Sequence, residues 1–170
     1  MELIALIPEF NLYEEYWKIY TQTDNPAPQF ISTHSHVERS VISEGCEIHG
    51  EIYNSIIGAG VTVEHGAVIS DSIIMANTVV GENTHIDQAV IAENVEIGKD
   101  CVIGTGEYQD SVYDSRVYCS DLATIGENSL IPDGVSIGRN TAIYGKTDLS
   151  DYPDGFLQSG GAIIREDERL

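Results

Sequence analysis

Tyr53–Ile69 reads YNSIIGAGVTVEHGAVI, Ser70–Ile86 reads SDSIIMANTVVGENTHI, and Asp87–Ile103 reads DQAVIAENVEIGKDCVI. These are three consecutive blocks of 17 residues in one register, preceded by a shorter block, Glu38–Ile52, ERSVISEGCEIHGEI. Large aliphatics recur every six residues inside them: Ile57, Val63 and Ile69, then Ile74, Val80 and Ile86, then Ile91, Ile97 and Ile103. The beat breaks off and resumes at Ile125, Ile131, Ile137 and Ile143. Such a period fits neither the helical 3.6 nor the simple alternation of an amphipathic strand. It fits strands of a few residues separated by tight corners, three sides to a coil. The stretch from Val37 to Ile143 is therefore predicted to be an all-β parallel β-helix of hexapeptide repeats.

Working outward from the beat, a smaller residue follows four positions after each large aliphatic: Val61, Ala67, Thr78, Thr84, Val95, Cys101, Ser129, Val135 and Thr141. Residues an even number apart on a strand share a face, so both members of each pair point inward. Corners that tolerate positive φ arrive on schedule as Gly58-Ala59-Gly60, Gly81-Glu82-Asn83, Gly98-Lys99-Asp100, Gly126-Glu127-Asn128 and Gly138-Arg139-Asn140. The doublets Ile56-Ile57, Ile73-Ile74 and Val90-Ile91 stack, and alternation lets only one member of each face the core. The sequence does not say which.

Outside the repeat, residues 1–30 read as an N-terminal helix and linker, the linker enforced by Asn25-Pro26-Ala27-Pro28. The β-helix is expected over 31–164, with residues 104–121 (GTGEYQDSVYDSRVYCSD) as an acidic, tyrosine-rich excursion from it. Residues 165–170 form a charged tail. Leu3, Ile4, Leu6, Ile7, Phe10, Leu12, Tyr13, Tyr16 and Trp17 are more apolar than a solvated terminus requires. They are expected to pack along the coils in part, Trp17 anchored, or to meet another body.

The 170 residues carry 28 acidic and 8 basic side chains, a formal net charge of −20. The acidity is spread along the chain. A field of that sign repels phosphate backbones and anionic bilayers, so neither nucleic acid nor membrane is an expected partner. Cys46, Cys101 and Cys119 match no zinc or disulfide spacing. Their odd number, with no signal-like N-terminus, points to reduced thiols and a cytoplasmic location. Cys46 and Cys101 fall at small inward positions and are expected in the core.

Several motifs follow one another in a familiar order: Asn11-Leu12-Tyr13, Trp17-Lys18-Ile19-Tyr20-Thr21, Pro28-Gln29-Phe30-Ile31, Ser43-Glu44-Gly45-Cys46 and Asp71-Ser72-Ile73-Ile74-Met75. Ile125-Gly126, Ile131-Pro132-Asp133-Gly134, Asp154-Gly155 and Ser159-Gly160 continue it. Over nearly its whole length the chain resembles the linker and C-terminal left-handed β-helix domain of bacterial glucose-1-phosphate adenylyltransferase (ADP-glucose pyrophosphorylase). The left hand comes from that resemblance; the period does not show it. The family's catalytic domain lies N-terminal and opens with a glycine-rich nucleotide loop followed by Arg-Leu, which nothing in this sequence matches. The resemblance thus implies a non-catalytic regulatory and oligomerisation domain serving glycogen synthesis. No cofactor, catalytic residue or metal site is expected in it. Its partners would be further copies of itself, or the catalytic domain or subunit of the same family, and a small anionic metabolite as effector. The chain is then either one domain of a longer enzyme or a relative that has lost catalysis.

Four basic residues are the candidates for holding such an anion: Lys18 in the linker, Arg39 in the first block, Arg116 in the insertion and Arg165 beside the last strand. The alternative is a hexapeptide acyltransferase, in which a histidine at an intersubunit groove acts as general base. His49, His65 and His85 are the residues to weigh for it. No basic cluster is evident for the phosphates of an acyl-CoA. His34 and His36 share a strand face by spacing but lack a third ligand for zinc.

The repeat makes a direct test possible. Val80→Asp, at an inward position, should unfold or strongly destabilise the chain, because an unpaired carboxylate would enter an apolar core. Glu82→Lys, two residues on at a corner, should leave the melting temperature nearly unchanged; equal effects would reverse the inward and outward assignment.

Overall fold

The computed structural model describes Tyr16 and residues 26–165. The expectations for an N-terminal helix, for Trp17 and its apolar neighbours other than Tyr16, and for the tail beyond 165 lie outside the described residues; Tyr16 itself is exposed. Short parallel strands make three faces of a triangular prism, and each strand pairs with its counterpart one coil away. Face A runs through Phe30–Ile31, Glu47–Ile48, Thr62–Val63, Val79–Val80, Glu96–Ile97 and Leu130–Ile131. Face B begins at His36–Glu38 and ends at Phe156–Leu157; face C begins at Val41–Ile42 and ends at Ala162–Ile164. The solenoid thus extends beyond the repeat at both ends, because Phe30–Ile31 pairs with Glu47–Ile48 and Ala162–Ile164 with Ala142–Tyr144.

Register keeps each kind of residue above its own kind. Ile57, Ile74, Ile91, Ile125 and Ile143 form one inward column, Ile52, Ile69, Ile86, Ile103 and Ile137 another, all buried. Val80 sits between Val63 and Ile97 in a third. Each such side chain contributes about 1.5–3 kcal/mol of burial before ordering entropy is subtracted. The doublets resolve as a rule: Ile57, Ile74 and Ile91 are buried, while Ile56, Ile73 and Val90 face outward and are half-buried.

At the corners, the residue just before each small inward side chain has positive φ. Gly60, Asn77, Asn83, Asn94, Asp100, Asn128, Gly134 and Asn140 all do so, at φ between 52° and 72°. The last member of each corner triplet thus carries the left-handed conformation, which Asn, Asp and Gly tolerate best. The first glycine is needed for a different reason. A Cβ on Gly81 would lie 2.5 Å from the Gly98 carbonyl oxygen, so it is space that excludes a side chain there. The asparagines also pair up the stack, Asn77 Nδ2 donating to Asn94 Oδ1 (3.2 Å) and Asn83 Nδ2 to Asp100 Oδ1 (3.1 Å).

Polar side chains inside the prism are satisfied by the same stacking. Ser55 N donates to Ser40 Oγ, Ser72 N to Ser55 Oγ and Ala89 N to Ser72 Oγ, at 3.0–3.1 Å. Thr84 Oγ1 accepts from Cys101 N (3.1 Å) and donates to the Gly98 carbonyl (2.8 Å). Cys46 and Cys101 are buried, and that burial pushes both thiols up. His34 lies in a turn, so it does not share a strand with His36.

The end of the stack after face A's last strand is closed by two 3-10 turns, Leu149–Asp151 and Pro153–Gly155. Tyr152 between them is buried at 2% exposure, its hydroxyl 2.9 Å from Thr147 Oγ1. Burial favours the neutral phenol and pushes its pKa from 10.0 up to about 12. The unfolded chain gives up this proton first, so the stabilisation is complete below about pH 10 and is lost as pH climbs through 12. Urea titrations over that window should show the wild type losing about 2 kcal/mol more than Tyr152→Phe. Parallel curves would take Tyr152 out of the cap.

Candidate functional site

The insertion between Val102–Ile103 and Ala123–Ile125 leaves the coil at the corner between faces B and C, and the register across it is unbroken. It does not stand away from the solenoid, as an excursion would. The two later corners on the same edge hold it. Asn140, fully buried and at φ 52°, accepts from Asp121 N through Oδ1 (2.8 Å) and donates through Nδ2 to the Gln109 carbonyl (3.0 Å). One carboxamide thus clamps both legs of the insertion. Arg139 Nε donates to the Gly104 carbonyl (3.2 Å), and Val112 N to the Gly160 carbonyl (2.8 Å).

From that edge the insertion crosses onto face C. Tyr113 and Tyr118, with ring centroids 5.9 Å apart, lie over Thr124, Gly126, Ala142, Tyr144 and Ile164 and enclose a cleft of about 130 Å³. Its outer surface is apolar and exposed at Val112 (80%) and Val117 (64%). A larger open groove of about 680 Å³ crosses face A, walled by Leu149 and floored by Val79, Leu130 and Pro132. Among the described residues, Glu96 and Asp133 are the only charged side chains lining it.

The basic candidates are placed apart. Arg39 sits at an exposed corner of the first coil at φ 49°, while Arg165 follows the last strand at the opposite end. Arg165 Nη2 is 2.5 Å from Asp151 and 3.8 Å from Asp148. Arg116 bonds Asp114 within the insertion (3.2 Å) and holds that carboxyl below its ordinary range. Lys18 lies outside the described residues. Sequence reasoning passed over Arg139, whose guanidinium is committed to the root of the insertion; only the fold brings Gly104 to it.

The histidines form no catalytic arrangement with one another. His49 and His65 stack at one corner, ring centroids 4.8 Å apart, next to Phe30. His85 projects from face B beside Val68 and Val102. His36 lies 3.6 Å from Glu38 and stacks on Tyr53. Among the described residues no three His, Cys, Asp or Glu side chains are arranged to hold a metal, and no helix is long and apolar enough to cross a membrane.

Comparison with known proteins bears on what this solenoid belongs to. The sequence model of the GlmU-like, C-terminal hexapeptide family matches residues 26–112. The glucose-1-phosphate adenylyltransferase of Lachnospira eligens is 52% identical over 165 residues, covering 97% of this chain and 39% of that protein. The enzymes of the same name from Acetivibrio thermocellus and Thermotoga maritima are 36% and 39% identical over 168 residues each, 99% of this chain. The chain spans about two-fifths of the length of these curated relatives.

The clamp at the root of the insertion can be tested by itself. Asn140→Gly keeps the positive φ permissible and removes only the side chain, leaving the Asp121 N–H and Gln109 carbonyl unpaired at a cost of about 1–3 kcal/mol. Proteolysis should speed up within 104–121 while the coils from Ile57 to Ile91 stay protected. Unchanged cleavage would show that Tyr113 and Tyr118 hold the insertion without Asn140.

Proposed function

This chain belongs to the GlmU-like, C-terminal hexapeptide family, and we propose that it is the assembly and regulatory domain of a glucose-1-phosphate adenylyltransferase. The observation that carries the reading is the 52% identity to such an enzyme along 97% of the chain, in a fold whose long stack of flat faces suits contact between subunits. On this reading ATP and glucose-1-phosphate are handled by a catalytic domain outside these coils, in the cytoplasm. The β-helix holds subunits together and relays the binding of a small anionic metabolite.

For that anion, Arg39 is the best placed of the three basic candidates among the described residues. It makes no ion pair among the described residues and stands at an exposed corner of the first coil. Arg116 and Arg165 are each neutralised by neighbouring aspartates, which an anion would have to displace. An acyltransferase reading gains no support from geometry, since among the described residues no basic groups converge on His49, His65 or His85 to receive a polyphosphate.

The test is an exchange of domains. Fused to the catalytic part of the Lachnospira eligens enzyme, this chain should form no ADP-glucose by itself but should restore a fully assembled, effector-responsive enzyme. Arg39→Ala should raise the half-saturating concentration of an anionic effector several-fold with little change in the unstimulated rate. ADP-glucose formation by residues 1–170 alone would overturn the domain reading, and acetyl transfer lost in His65→Ala would favour the acyltransferase.

A further inference from the structure

Two consecutive coils turn from face A to face B through a histidine followed by a glycine, His49-Gly50 and His65-Gly66. The backbones at these corners are in contact. His49 N donates to the Val63 carbonyl (2.8 Å), and a Cβ on Gly50 would lie 2.3 Å from the Ala67 carbonyl oxygen. The two imidazoles therefore meet across one rung, ring centres 4.8 Å apart and planes tilted by 46°, with Phe30 of the preceding coil against His49. Among the described residues neither ring makes a hydrogen bond or an ion pair, so their nitrogens are uncommitted. His36, by contrast, is engaged by Glu38 and Tyr53, and His85 lies between Val68 and Val102.

We propose that His49 and His65 together hold one divalent transition-metal cation of the zinc class, with water completing its coordination. The ring separation carries the assignment. An imidazole nitrogen lies about 1.1 Å from its ring centre and about 2.0–2.1 Å from a zinc it binds, which sets two rings on one tetrahedral ion about 5 Å apart. His49 and His65 already stand at 4.8 Å, so the ion enters without any movement of the two coils. The tilt of the rings opens one edge of the pair to the incoming ion, and His65 is exposed at that corner.

Charge and ligand type select the occupant. Glu64 stands one rung on from His49 and Glu82 one rung on from His65, in a chain of net charge −20, so a cation is favoured there over an anion. Hard cations such as magnesium and calcium take oxygen ligands, whereas imidazole suits zinc, nickel and copper. Glu82 is engaged by Lys99 at 3.1 Å, which leaves the two imidazoles as the protein's ligands. The ion would join two coils through side chains that the unfolded chain does not hold together. Its binding therefore adds to the stability of the early stack.

Calorimetric titration of zinc into the metal-stripped full chain tests this, with His49→Gln, His65→Gln, His85→Gln and Cys119→Ser. One zinc per chain is expected, its dissociation constant raised at least tenfold in each of the first two variants and unchanged in the other two. Zinc should also raise the melting temperature of the wild type and leave that of His65→Gln where it was. His65 is exposed, so its substitution spares the core, and it decides the matter if His49→Gln fails to fold. Zinc held as tightly by His65→Gln as by the wild type would overturn the pair as the site, as would a wild type that binds none. A loss seen only in Cys119→Ser would also overturn it and put the ion on that exposed thiol.

Discussion

A single coil of this protein has no interior that could hold it together. Ile57, Val63 and Ile69 point at one another across a small triangle, and they are buried only because Ile74, Val80 and Ile86 lie one coil further along. The backbone depends on the same neighbour, since strands of two or three residues find their hydrogen-bond partners only in adjacent coils. Stacking is therefore the constraint from which the rest follows. It requires like above like, and it explains why serine occurs above serine, and asparagine above asparagine, in columns with satisfied side chains.

A stack propagates until something ends or interrupts it, and the two departures here have different characters. Tyr152 closes face A's side of the last coil, a large ring buried in the core cluster whose hydroxyl is satisfied by Thr147. The insertion interrupts only the corner. Because Ala89 still pairs with Ala123, an extra loop enters the chain at no cost to the columns on either side. What the insertion needs is a hold on the next corner, and Asn140 supplies it while also serving as that corner's left-handed residue.

A solenoid of this kind offers surfaces in place of a cavity lined by converging side chains. The described basic candidates are spread from the first coil to the last, two of the three are neutralised locally, and His49 and His65 stack as corner neighbours. Bond-making needs several groups held within a few ångströms, and these residues are not brought together in that way.

The sequence by itself determined the periodic part of this protein. A six-residue beat of Ile and Val, with Asn, Asp or Gly ahead of each small inward residue, states the strand, the corner and the core in local terms, because each coil repeats the same short-range chemistry. The motifs around Asn11-Leu12-Tyr13 and Asp71-Ser72-Ile73 were enough to indicate the family that the comparisons show. Wherever residues distant in sequence had to meet, the tertiary structure decided. Which member of Ile56-Ile57 turns inward depends on the hand and phase of the whole coil, not on two similar side chains. That Asn140 would grip Gln109, Arg139 reach Gly104, or Tyr113 lie over Ala142 follows from the position of corners one and two coils away. No local pattern encodes those approaches, since they exist only after the stack has formed.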